Sequence, residues 1–251
     1  MTYILLTNDD GVHAPGLYAL AMAMQGLADK VGIIAPIENQ SMVGHKITLH
    51  QDLPIVETQL PDGTPAIGVG GSPADCVVLA ALGVVDWPPR FVVSGINRGA
   101  NMAQDVLYSG TVAAAAEAII QGVPSLAVSL DYHHADKVEH YEVAARLAAR
   151  VVSRAIQRSI PEFTVLNLNV PYGVDVKGIR LTRQGIRIYR DQLERNGNLV
   201  KIAGVAPTGI LDEEGTDLWA VHQGYASLTP LSLDFTSHRF MADLAAWDIT
   251  N

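Results

Sequence analysis

Two adjacent carboxylates, Asp9 and Asp10, follow an apolar run and precede a glycine in the stretch Thr7-Asn8-Asp9-Asp10-Gly11. Carboxylates this close disfavour each other's ionised form unless a cation or strong donors compensate. The pair therefore reads either as a solvated turn or as half of a metal site. Ser41 and Asn97, in two later polar loops, would complete a set made only of oxygen donors. Such donors suit Mg²⁺ or Mn²⁺ and argue against a structural zinc. In a regular strand, neighbouring side chains point to opposite faces, so both aspartates reach one ion only if the chain leaves the strand there. Gly11 makes that turn cheap.

A second stretch, Ser109-Gly110-Thr111, runs into the alanine-rich segment 111–122. A glycine-flanked turn entering a helix presents free N–H groups and the positive end of the helix dipole to an anion. An ordinary N-cap is the competing reading. Asn97 and Asn101, four apart, offer a metal ligand and an anion donor. No Walker phosphate loop is present, and Gly-Val-Gly-Gly-Ser-Pro (68–73) lacks dinucleotide-binding spacing. The cluster His133, His134, Asp136 and His140 reads as a solvated loop, as does the acidic turn 211–217. Cys76, on an apolar helix, reads as core.

These loops need a scaffold that brings them together. The runs 3–6, 32–36, 91–95, 124–130 and 163–170 are short and β-rich, and they alternate with helix-like segments at 15–28, 72–85, 111–122 and 138–156. Such alternation implies βαβ units and a mostly parallel sheet, whose ligands bind beyond the carboxyl ends of the strands. Ser72-Pro73 with Asp75 predicts a capping box, and Ser109 predicts a second helix start. Nearly half of the 251 residues are apolar and 17% are charged, enough for a sizeable core. The net charge of −9 argues against a nucleic-acid polymer as partner, so any anion site is local. Cys76 is the single cysteine, no basic leader precedes Asp9, and the longest apolar run, 76–85, is too short for a bilayer. The expectation is a soluble cytoplasmic protein without membrane contact.

Beyond residue 185 the pattern changes. Asn196-Gly197 between two charged extended runs predicts a projecting hairpin over 186–206. Residues 231–235 alternate like a half-buried strand, and 238–249 predict an amphipathic helix with Phe240, Leu244 and Trp247 on one face. Residues 1–185 are thus expected to form the α/β domain. Residues 186–251 are expected to form an extension without its own core, docked on a neighbouring subunit.

Together the loops are more specific than any one of them. TNDDG, then AP-x-x-x-QS-x-x-GH-x-IT, G-S-PADCV, SGIN-x-G-x-N and SGTVAAA-x-E resemble, in order, the SurE family of stationary-phase survival phosphatases. The later NLNVP, LTRQ, EGTD and GYASLTPL fit the same pattern. The resemblance implies a Rossmann-like three-layer α/β sandwich with a C-terminal β-hairpin arm and tail used in a homodimer or homotetramer. It implies a metal-dependent phosphomonoesterase acting on nucleoside 5′- and 3′-monophosphates, with short polyphosphate as a further substrate. One divalent cation per subunit, Mg²⁺ or Mn²⁺, would be held by Asp9, Asp10, Ser41 and Asn97. Asn101, Ser109, Gly110 and Thr111 match the phosphate-contacting positions. Lys46 stands where the family often has Ser or Ala, and Ser72 replaces a frequent Thr. The reaction expected is in-line attack of an activated water, with Asp10 orienting it and His45 as candidate general acid. A covalent aspartyl-phosphate on Asp9 is the alternative chemistry. A non-catalytic nucleotide sensor is the alternative function.

Overall fold

In the computed structural model, which describes residues 1–173, 175–247 and 249, the first strand β1 (Tyr3–Thr7) sends Ile4 and Leu6 to one side and Leu5 to the other. That alternation is the pleat's, and because both sides are apolar the strand needs a covering layer on each. β1 leads into α1 (Pro15–Gln25) and β2 (Lys30–Pro36), then a hairpin of β3 (Ile55–Gln59) and β4 (Pro65–Val69). There follow α2 (Pro73–Leu79), β5 (Phe91–Arg98), α3 (Gly110–Ile120), β6 (Ser125–Asp131), α4 (Glu142–Ala155) and β7 (Thr164–Pro171). α1 and α4 cover one face of the sheet, with Leu17, Leu20 and Met24 meeting Ile4, Val93 and Val128 in the larger core. α2 and α3 cover the other, where Cys76 and Val77 pack with Leu5, Val92 and Ala114. Cys76 is therefore core, as its apolar setting suggested.

The last third of the described chain adds β8 (Ile179–Leu181), β9 (Arg187–Asn196), β10 (Leu199–Gly209), α5 (Asp217–His222), β11 (Ala226–Ser232) and α6 (His238–Ala245). The nine-stranded sheet has the order β3-β4-β2-β1-β5-β6-β7-β11-β8. Its pairings are parallel except β3 with β4 and β7 with β11. β9 and β10 form a separate antiparallel ribbon turning at Asn196-Gly197, where the turn was expected.

Two local expectations correspond to the observed helix starts. Ser72 and Asp75 close a full capping box with Pro73 in the first turn of α2, and the Ser109 side chain caps α3 by accepting the Val112 N–H. Two others need correction. The strand expected at 231–235 runs instead from Ala226 to Ser232, because pairing with β7 from Ser227 to Ser232 carries it through Pro230, a residue that reads as a strand breaker. The β3–β4 hairpin, turned at 61–64, was not anticipated. α6 ends at Ala245, short of the expected 249; Phe240 in it meets Trp247, two residues past its end, edge to face at 5.7 Å, and Asp248 of the expected helix lies outside the described residues.

Candidate active site

β1 stops at Thr7, so the two aspartates sit on a turn rather than on a strand. Asn8 makes that turn: its amide donates to the Gly11 carbonyl at 2.8 Å and accepts the Gly11 N–H at 3.3 Å. Gly11 completes it with φ of +108°, a conformation that L side chains rarely adopt. The geometric condition for convergence, departure from the strand, is met.

The turn sends the two carboxylates to different partners. Asp9, 3% exposed, lies against the start of α3, where its Oδ1 accepts the Thr111 hydroxyl at 2.5 Å and its Oδ2 accepts the Thr111 N–H at 3.1 Å. The approach is close because residue 110 is glycine: a Cβ there would stand 2.9 Å from Asp9 Cβ and 3.0 Å from Pro73 Cγ. Asp10 accepts the Arg98 N–H at 2.9 Å and the Asn39 amide at 3.0 Å. Asn39 in turn accepts the Ser41 N–H at 2.9 Å, and the Gln40 N–H donates to the Asp9 carbonyl at 2.7 Å. The 39–41 loop, Ser41 included, thus hangs on the aspartate turn.

Burial pushes the Asp9 carboxyl up to about 6 against the lowering pull of Thr111, and the Asp10 charge adds to the rise. Burial likewise raises Asp10, opposed by the Arg98 amide, the Arg98 charge and Asn39. Among the described residues neither carboxylate has a Lys, Arg or His within salt-bridge distance. Two crowded carboxylates without an ion-pair partner at salt-bridge distance are a donor set for a cation. No group of three or more His, Cys, Asp or Glu suits a metal among the described residues. The donors present, two carboxylates with a serine and an asparagine, fit a hard divalent ion. Asn97 follows the irregularity in the β5–β6 pairing between Ser94 and Asn97, and its amide donates to the Gly99 carbonyl at 2.8 Å.

The phosphate candidates fall into two groups. Ser109 spends its lone pair on Val112 but keeps its hydroxyl proton, and the Gly110 N–H has no partner among the described residues. Thr111 instead spends both donors on Asp9. Asn101 is 7% exposed and tied into the fold: its N–H donates to Asn169, its side-chain amide to Ser129, and its carbonyl accepts from Asn167 and Asn169.

His45 is placed with Glu117, its Nε2 2.9 Å from Glu117 Oε2, two turns along α3 from Gly110, or roughly 10 Å of helix axis. It hydrogen-bonds neither aspartate. Its loop is pinned to α2 by Thr48 donating twice to Asp75 and by the Ser72 hydroxyl donating to the Lys46 carbonyl. The acidic turn 211–217 also differs from the solvated loop expected. Asp212 and Glu214 fit that reading only as far as Gly215, because Asp217 is fully buried. Its carboxylate accepts the N–H groups of Ala103, Gly185 and Leu218, each at 2.8 Å, and so secures the loop that follows Asn101. Sequence reasoning also gave no role to Asn39, Arg98 and Glu117. Glu117 carried a signal as the glutamate of SGTVAAA-x-E, and Asn39 lies directly before Gln40-Ser41.

Residues 4–191 match the family model described as survival protein SurE. A protein of Chloroflexus aggregans named 5′-nucleotidase SurE is 44% identical, over 98% of this chain and 99% of that one. A protein of Herpetosiphon aurantiacus with the same name is 46% identical over 93% of each. The crystal structure of the SurE protein from Aquifex aeolicus superposes with a TM-score of 0.81 at 36% identity, covering 98% of this chain and 99% of that chain.

Proposed function

The chain belongs to the SurE family, and from that premise we propose that it is a 5′-nucleotidase, releasing phosphate and nucleoside from nucleoside 5′-monophosphates. The observation that carries the proposal is the junction of Asp9 with the start of α3, where a buried carboxylate and free helix-start donors meet. Asp9, Asp10, Ser41 and Asn97 would hold one Mg²⁺ or Mn²⁺. When bound, that ion neutralises charge on the phosphate and favours ionisation of a water.

The chain's own residues do the rest. Ser109 and Gly110 offer an O–H and an N–H to the equatorial phosphate oxygens, where a loose transition state spreads its charge. Thr111 acts through Asp9, fixing the carboxylate so that no reorganisation is needed during reaction. Asn101 shapes the loop between Asn97 and α3, held from below by Asn167, Asn169 and Ser129. Asp10 stands ready to orient the attacking water. Hydrolysis of 3′-monophosphates and short polyphosphate would use the same donors.

The C-terminal segments are read as contacts with a second copy of this chain, in a homodimer or homotetramer. Leu193, Ile202 and Val205 of the β9–β10 ribbon are exposed, α6 buries none of its residues, and an apolar groove of about 650 Å³ runs along α3 past Ile120 and Phe235. No helix among the described residues is long and apolar enough to cross a membrane.

The test is phosphate release from a panel of nucleoside 5′- and 3′-monophosphates with Mg²⁺, Mn²⁺ or chelator, for wild type and Asp9→Asn. Activity that requires the ion and collapses in Asp9→Asn is expected. Full turnover in chelator, or tight binding without turnover, would refute it.

A further inference from the structure

A phosphomonoesterase acting on a nucleoside monophosphate must expel an alkoxide, a poor leaving group unless a proton reaches it as the P–O bond breaks. Imidazoles are the commonest suppliers of such protons near neutral pH. Most of the imidazoles around the strand ends are already engaged. His45 is held by Glu117, and His13 Nε2 lies 3.3 Å from the Thr58 hydroxyl. His140 Nδ1 accepts the N–H groups of Asp136 and Lys137 while its ring packs edge-on against Tyr132 and Tyr172. His134 packs edge-on against Tyr132.

His133 differs. Like His134 it is exposed and makes no hydrogen bond among the described residues, and it follows β6, two strands from β1 in the sheet; what sets it apart is the surface its ring rests on. Its ring lies on Gly99: a Cβ at residue 99 would come within 2.5 Å of His133 Cε1 and 2.7 Å of Nδ1. Gly99 is the midpoint between Asn97 and Asn101. Its carbonyl accepts the Asn97 amide, and the N–H of its neighbour Arg98 is bound to Asp10. Gly99 has φ of +112°, and its N–H donates to the Leu130 carbonyl at 2.9 Å, which ties the loop to the strand that delivers His133. The backbone that carries one candidate metal ligand and braces Asp10 is thus the surface on which this imidazole rests.

We propose that His133 is a further catalytic residue, the proton donor to the leaving oxygen of the nucleoside. The inference rests on the phosphomonoesterase reading. As water adds to phosphorus and the bond from phosphorus to the ribose oxygen breaks, a proton on the His133 ring passes to that oxygen, giving the free alcohol. The proton lost by the attacking water restores the imidazolium through solvent. The ring contacts only the end of the substrate that departs.

The experiment compares His133→Gln and His133→Asn with wild type on a nucleoside 5′-monophosphate and on 4-nitrophenyl phosphate, whose phenolate leaves without protonation. The expected result is a roughly 10²- to 10⁴-fold loss of kcat/KM on the nucleotide, with the aryl ester hydrolysed at close to the wild-type rate. Equal losses on both would mean that His133 only supports the Gly99 loop, and no loss on the nucleotide would mean that it takes no part; either overturns the proposal. A second readout needs no turnover: with Mg²⁺, uridine and inorganic phosphate present, the ring resonance absent from the His133→Gln spectrum should move. A resonance that stays in place puts the ring away from the product and also overturns the proposal. If wild type hydrolyses neither ester, it is the phosphomonoesterase reading that fails.

Discussion

Replacing Gly110 by alanine tests the central junction directly. Residue 110 opens α3, where alanine ordinarily stabilises a helix by up to about 1 kcal/mol relative to glycine. Here the added methyl would stand 2.9 Å from Asp9 Cβ, 3.0 Å from Pro73 Cγ and 3.1 Å from Asp9 Oδ2. Carbon atoms prefer separations of about 3.5–4.0 Å, so something must move by roughly 0.6–1 Å. Pro73 is fixed by the capping box of α2, so the aspartate turn is the part that yields. Overpacking of this size costs about 1–3 kcal/mol, which more than offsets the helical gain at its upper end. The net is about 0–2 kcal/mol of destabilisation, a fall in Tm of about 0–8 °C for a chain of this length. A catalytic group displaced by about 1 Å loses on the order of 10²-fold in rate. Thermal unfolding by circular dichroism and kcat/KM for phosphate release measure the two effects. A variant with raised Tm and activity within about twofold of wild type would refute the claim that Asp9 must seat closely on α3.

Three further outcomes follow from the same contacts. Asp217→Ala strands the N–H groups of Ala103, Gly185 and Leu218, at about 1–3 kcal/mol each, so urea unfolding should show a loss of about 3–9 kcal/mol. Burial raises the Glu117 carboxyl, but its bonds to His45 and Gln121 outweigh burial and hold it below the ordinary glutamate value. A depressed carboxyl contributes stability that is present above its unfolded pKa and is lost as pH falls through its folded pKa. Wild type should therefore lose stability below about pH 4.5 more steeply than Glu117→Gln, measured as denaturation midpoint against pH. Truncation after Leu233 removes Phe235 and α6 and should lower the mass seen by light scattering toward that of one chain, whereas an unchanged mass would assign the contact to the β9–β10 ribbon alone.

What the sequence made legible was what it encodes locally. β1, β2, β5, β6 and β7 are short apolar runs bounded by turn residues, and the starts of α2 and α3 announce themselves through Ser72-Pro73-x-Asp75 and Ser109. The positions of Asp9 and Asp10 just beyond β1, and of Asn97 in the last paired residues of β5, followed from the rule that ligands bind at the carboxyl ends of the strands in open α/β sheets. What stayed hidden depends on partners far along the chain. Asp217 lies in a run of acidic residues that looks solvated, and its burial follows only from its meeting Ala103 and Gly185. Thr111 looks like a phosphate donor until Asp9 is seen to take both of its hydrogen bonds. His45 is near the other motif residues in sequence but lies two turns down α3. β11 was obscured because Pro230 interrupts a strand that antiparallel pairing with β7 nonetheless sustains.

The bond between Asp9 and Thr111 joins positions 102 residues apart, and that between Asp217 and Ala103 spans 114. For a chain growing on the ribosome, the Asp9 carboxylate must wait for the start of α3. The loop between β5 and that helix must then wait for α5, 114 positions beyond Ala103. Loop-closure entropy of this kind is met before the contacts reward it. Competence should accordingly arrive as a single late step once Asp217 has left the exit tunnel, and nascent chains stalled short of that point should be catalytically silent.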